Sequence, residues 1–252
     1  IGSGGELHVG EMVACVAHPV HSGSSLERIE RLAHGPVTEG VDVHLEAARV
    51  EEADDPLQPL GLAPMPIGTA SDVRVDDDVY VIGHGGRAHA LKAEVFARRE
   101  FAGYWEYLLD YALFTTPPHP EWSGAALLDA GGRLIGIGSL FVQEAEDDEV
   151  RKGNMFVPID ELVPILDDLV RTGRPAAPPR PWLGMYANEE NHRIVVGGLA
   201  PGGPADVAGV RQGDLVVAVA DQRVSTLAAL FRAVWKVGSA GTESPSTLTR
   251  NG

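Results

Sequence analysis

The sequence contains a single cysteine, Cys15, only 6% aromatic residues, and far fewer bases than acids. The lone cysteine excludes an intramolecular disulfide and any zinc site built on paired cysteines, and leaves the redox compartment unread. No apolar run approaches the roughly 20 residues that a membrane-spanning helix requires. The 20 Lys and Arg stand against 36 Asp and Glu, a net charge of −16. That balance argues against a nucleic-acid partner, because neutralising a phosphate backbone takes Lys and Arg. It fits an acidic, well-solvated surface. No convincing internal repeat is present. The opening residues, IGSGG, lack the basic region and apolar core of a signal peptide, so a trimmed fragment or a mature form is expected. No His, Asp and Glu spacing matches a zinc motif, although His18 and His21 are close in sequence and His84 and His89 flank a glycine turn. Neither a metal nor a cofactor is expected.

The clearest boundary is TGRPAAPPRP, residues 172–181, whose prolines favour an extended, semi-rigid linker. Before it, Leu162, Ile165, Leu166 and Leu169 recur at helical spacing and Gly173 stops the pattern, which predicts a closing helix over Asp160–Arg171. The stretches 79–86, 133–142 and 154–159 read as strands. YWEYLLDYALF, 104–114, is ambiguous: Trp105, Leu108, Leu109 and Ala112 fit a helical face, yet its aromatics suit a strand. Many strands with little helix point to a β-barrel. Residues 5–56 are weakly patterned. A strand at Met12–Ala17, a capped helix after Ser24 and a strand at Val41–Leu45 are the readings available there.

After the linker comes a compact α+β module. WLGMYA and HRIVVGGL read as strands, GPADVAG as a short helix, DLVVAVAD as a third strand and TLAALFRAVW as an amphipathic helix. The short strand STLTR closes it, with Ser244 and Pro245 just before; a proline there cannot donate a ladder hydrogen bond, which predicts a weak edge.

LGLAPMPIGTASDVRVDDDVYVIGHGG, SGAALLDAGGRLIGIG, GNMFVPIDELVPILDDLV, PWLGM and GLAPGGPADVAGVRQGDLVVAVADQRV occur in that order. As an ordered set they resemble HtrA/DegP-type proteins from about Leu57 onward. The resemblance implies a mainly β fold: a trypsin-like double β-barrel over residues 1–172, a linker over 173–181 and a small α+β PDZ-like domain over 182–252. It also implies protein quality control in the periplasm or cell envelope, and a homo-oligomer, since such proteins are often trimers.

The resemblance places Ser123 of EWSGAAL on the nucleophile position of Gly-Asn-Ser-Gly-Gly-Pro-Leu. A serine hydroxyl needs a base within hydrogen-bond reach and N–H groups aimed at the developing oxyanion. In this fold the N–H groups come from the serine and from the residue two before it, here Ser123 and Glu121. A side chain at 121 resists backbone angles open to glycine, and its carboxylate would repel an oxyanion. Trp122 and Ala125 are two more departures from the pattern. His18 is the candidate base, with His21 and His34 as alternatives. Glu51, Asp54, Asp55 and Asp42 lie in the right neighbourhood for a triad acid, and none can be assigned. The expectation is a protease homologue with impaired or lost catalysis; the alternative is an active HtrA-type endopeptidase.

PDZ domains add an extended peptide to a sheet edge and capture its terminal carboxylate on backbone N–H groups. Trp182, Leu183, Gly184 and Met185 resemble that carboxylate loop, and Leu227 and Leu230 fall on the helix that would form the opposite wall. Peptide or protein C-termini are the expected partners.

Overall fold

The computed structural model describes residues 6–13, 65–84, 89–146 and 149–250. All belong to one compact unit, Ile1–Ala17 with Met65–Gly252; a second unit, His18–Pro64, lies outside the described residues. In chain order the strands are β1 (Glu6–Val13), β2 (Asp78–Ile82), β3 (Ala90–Gly103), β4 (Tyr107–Thr116), β5 (Ala126–Leu128), β6 (Leu134–Glu146), β7 (Glu149–Pro158), β8 (Met185–Glu190), β9 (Arg193–Leu199), β10 (Leu215–Val219), β11 (Gln222–Arg223) and β12 (Glu243–Thr249). The α-helices are α1 (Leu166–Thr172), α2 (Pro204–Val207) and α3 (Leu227–Val237). No helix among the described residues is long and apolar enough to cross a membrane.

β2 to β7 close into a barrel in the order β2-β3-β4-β7-β6-β5. Strict alternation marks β2: Val79 and Val81 point inward while Asp78 and Tyr80 point out. The interior is Val79, Val81, Val95, Leu113, Leu127, Ile135 and Phe156. The ambiguous aromatic stretch resolves into a turn at 104–106 and strand β4. Both faces of β4 are buried, with Leu113 in the barrel and Ala112 and Phe114 in a second cluster with Leu109 and Met155. A strand buried on both sides needs no alternation, which is why its pattern also fits a helix. The expectation of a second barrel falls on residues outside the described ones.

The closing helix is shorter than its spacing predicts. Ile159–Glu161 and Val163–Ile165 are 3-10 turns, and α1 starts only at Leu166. Pro164 is the cause: it lacks an N–H and its ring crowds the preceding turn. Gly173 caps α1 in the left-handed region (φ 71°), as its position after the periodic run suggests. Asp160 ties this corner to the barrel, accepting from the N–H groups of Ala70 (3.0 Å) and Ser71 (2.9 Å) and from the Tyr111 hydroxyl (2.6 Å).

The second sheet runs β1-β12-β10-β9-β8, with β11 beside β10. Helix α3 covers it, burying Leu227, Leu230, Phe231 and Val234 against Ile194, Val196, Val216 and Leu248. Thr226 caps α3, its hydroxyl accepting the Ala229 N–H at 3.1 Å. The last strand is longer than expected and is not an edge: it lies between β1 and β10, with Pro245 inside it. The missing proline N–H falls where the β1 register jumps between Val9 and Met12, and the Pro245 carbonyl accepts the Ala220 N–H at 2.6 Å. Proline is tolerated inside the sheet because a bulge faces it. The linker is held at its end, where the Arg180 guanidinium lies over the Trp235 ring at 4.2 Å.

Candidate functional site

Ser123 sits on the segment joining β4 to β5, exposed, in the turn Trp122–Ala125. The turn is closed by the Ala125 N–H donating to the Trp122 carbonyl (3.0 Å), and Gly124 takes φ 71°. Glycine suits that third position, where the chain must enter the left-handed region. Behind the turn lies Gly138 of β6. Its carbonyl accepts the Gly124 N–H (2.9 Å) and its N–H donates to the Ala125 carbonyl (2.8 Å). A Cβ at 138 would meet the Trp122 carbonyl oxygen at 1.8 Å, so only glycine lets the serine turn lie this close to β6.

The Glu121 N–H donates to Nδ1 of His119 at 3.0 Å. His119 is only 3% exposed, and its Nε2 lies 2.6 Å from the His89 carbonyl. A carbonyl can only accept, and a backbone N–H can only donate. The ring is therefore the neutral tautomer with its proton on Nε2, and Nδ1 is an acceptor for Glu121. The His119 N–H in turn donates to Oδ1 of buried Asn154 at 2.6 Å. Glu121 itself has a negative φ. Its carboxylate turns to His89, with Oε2 3.1 Å from Nδ1. That hydrogen bond and the charge behind it hold the Glu121 carboxyl below its ordinary range and raise His89 above its own.

His18, His21, His34 and the acidic candidates Asp42, Glu51, Asp54 and Asp55 all lie outside the described residues, so Ser123 is the one member of the expected triad whose surroundings are seen. Among the described residues no group of three His, Cys, Asp or Glu is arranged to hold a metal ion.

In the second sheet, Leu183, Met185, Leu227 and Leu230 are all buried in one core, while Trp182 is 42% exposed. Gly184 takes φ 69° with the Trp182 ring against its Cα side. The loop's N–H groups already hold a carboxylate, that of Glu106 from the turn between β3 and β4. Leu183 donates to Oε2 (2.9 Å) and Oε1 (3.1 Å), and Met185 donates to Oε1 (3.0 Å). Burial pushes the Glu106 carboxyl up in pKa, and these N–H groups oppose that rise.

Residues 16–137 match the trypsin-like peptidase domain family, and residues 195–235 match the PDZ domain family. The chain is HtrA-like. This HtrA-like chain is 30% identical over 195 residues to Protease Do-like 1, chloroplastic, of Arabidopsis thaliana, which covers 68% of this chain and 43% of that protein. It is 28% identical over 190 residues to serine protease PepD of Mycobacterium tuberculosis, 69% of this chain and 40% of that one. Serine endoprotease DegS of Escherichia coli is 32% identical over 110 residues, 38% of this chain and 30% of that one. The chain thus spans less than half the length of each of these relatives. Among solved structures, HtrA-type protease AlgW with tripeptide aligns at 20% identity and a TM-score of 0.46, over 78% of this chain and 72% of that one.

Two residues that shape these sites were not singled out by their sequence context. His119 lies four residues before Ser123, but its role depends on the distant His89 carbonyl. Glu106 is separated from its partners by 77 residues or more, and no local spacing joins them.

Proposed function

We propose that this HtrA-like chain is a peptide-binding protease homologue whose peptidase site is impaired, acting in protein quality control or as a scaffold that binds peptide C-termini. One observation carries the reading: the Glu121 N–H is bonded to His119 Nδ1. In a trypsin-like site that N–H has to point at the developing oxyanion, and losing one such donor costs about 2.7–4 kcal/mol of transition-state stabilisation. A buried ring that already accepts the N–H takes away a donor that must be free before substrate arrives. The PDZ assignment supports the binding half. Leu183, Gly184 and Met185 form the proposed carboxylate loop, flanked by Trp182, and Leu227 and Leu230 belong to the helix of the facing wall, where they anchor it to the core.

The alternative, an active HtrA-type endopeptidase that cleaves misfolded proteins, is favoured by the exposed Ser123 hydroxyl in its glycine turn. A fluorophosphonate probe separates the two. The impaired reading expects labelling no faster than that of the Ser123→Ala variant. Rapid labelling that disappears in Ser123→Ala establishes the active enzyme instead.

A further inference from the structure

The free edge of the second sheet is not empty. Strand β8 is the last strand in the sheet order and, among the described residues, pairs with β9 alone, which leaves its other edge for an added strand. Along that edge the donors are used in sequence. Leu183 and Met185 donate to the Glu106 carboxylate, and Ala187, two residues further on, donates to the Tyr104 carbonyl at 3.1 Å. Alternate N–H groups on one side of a strand are what an added strand takes. A carboxylate on the loop and a main-chain carbonyl two residues along the edge are together the contacts by which a peptide C-terminus is recognised.

The rest of the β3–β4 hairpin is fastened around this contact. Arg232 of α3 pairs with Glu100 at 2.5 Å and Asp110 at 2.6 Å, one from each hairpin strand. Ala102 and Leu108 pack against the second sheet's core, and the Tyr104 and Tyr186 rings meet edge-on at 6.2 Å. The hairpin therefore touches both walls, β8 and α3. Glu106 itself is held at φ 61°, a left-handed conformation that a residue with a Cβ adopts only under constraint.

We infer that the Glu106 side chain is an internal competitor for the carboxylate loop of the PDZ domain, so that a peptide C-terminus binds this chain only by displacing the hairpin tip at 104–106. The inference rests on the proposed reading of that loop as a peptide-carboxylate site. The two carboxylates need the same N–H groups, so they cannot bind together. Because the competitor is tethered, a free peptide works against an effective concentration on the order of millimolar. Apparent affinity falls by the fraction of molecules in which the loop is open.

Fluorescein-labelled peptides ending in Ala, Val, Leu or Phe, each as the free acid and as the amide, are titrated by anisotropy into the wild-type chain and Glu106→Gln. The substitution keeps side-chain length and removes the charge. At least about tenfold tighter binding of the best free-acid peptide to the variant is expected, the case where the loop is closed nine-tenths of the time. No such gain is expected for the amides. NMR supplies a second readout: free-acid peptide added to the wild type shifts the Leu183 and Met185 amide resonances together with that of Glu106. Equal free-acid affinity in both proteins overturns the competitor and leaves the PDZ reading standing. Failure of every free-acid peptide to bind either protein overturns the PDZ reading and the competitor with it.

Discussion

Replacing His119 with alanine tests the arrangement at Glu121 most directly. The ring is 3% exposed and serves two partners, accepting the Glu121 N–H at Nδ1 and meeting the His89 carbonyl at Nε2. Alanine leaves the Glu121 N–H without its acceptor in a partly buried site, at a cost of about 1–2 kcal/mol. The His89 carbonyl belongs to an exposed residue and regains water cheaply. The space vacated by the ring adds about 1 kcal/mol. The total, about 2–3 kcal/mol, corresponds to a fall in Tm of roughly 4–12 °C for a chain of this size. Thermal melting by circular dichroism reads the global effect. Hydrogen exchange at the Glu121 amide reads the local one, and a lost bond of this strength speeds exchange by roughly 5- to 30-fold. Gly83→Ala reaches the same ring from the other side, since its Cβ would stand 2.5 Å from His119 Cε1 and 2.9 Å from the Glu121 carbonyl oxygen. Both variants should expose the same amide. Unchanged exchange at Glu121 in both, with Tm within about 1 °C of wild type, refutes the claim that His119 holds this N–H.

Gly138→Ala drives a Cβ to 1.8 Å from the Trp122 carbonyl oxygen, so the serine turn or β6 must move; a loss of about 2–3 kcal/mol and faster proteolysis within 119–126 are expected, measured by urea unfolding and limited digestion. Asp214, 1% exposed, accepts from Nε and Nη2 of Arg250, each at 2.6 Å, and this pairing holds its carboxyl below the ordinary range. A carboxyl lowered in the folded state stabilises above its unfolded value, about pH 4, and loses that contribution as pH falls through the folded value. The stability gap between wild type and Asp214→Asn should therefore be about 1.5–3 kcal/mol at pH 7 and narrow as pH falls below about 4, as read by urea midpoints; a gap independent of pH refutes the pairing.

Residue pattern told most where one physical rule acted alone. Val79 and Val81 alternate with polar neighbours and announce β2; Gly173 announces the end of α1; Thr226 and the apolar face behind it announce α3. Pattern told less where two rules competed. Pro164 overrode a helical spacing that its neighbours shared, and β4, buried on both faces, carried no alternation to read. Ser123 and its altered flanking residues were legible as a departure from a motif, but the bond that gives Glu121 its consequence runs through His119. Glu106 was not legible at all, because the only feature that marks it is a contact with a loop far along the chain.

The pairing of Glu6–Val13 with Glu243–Thr249 bears on how this protein can be cut for study. A piece begun at the proline-rich linker keeps the carboxylate loop and α3 but strips the outer neighbour from the last strand. That strand then presents a bare row of N–H and C=O groups, a template for pairing with another copy. Such a piece should self-associate as concentration rises, and a fused copy of residues 6–13 should return it to a monomer in sedimentation runs.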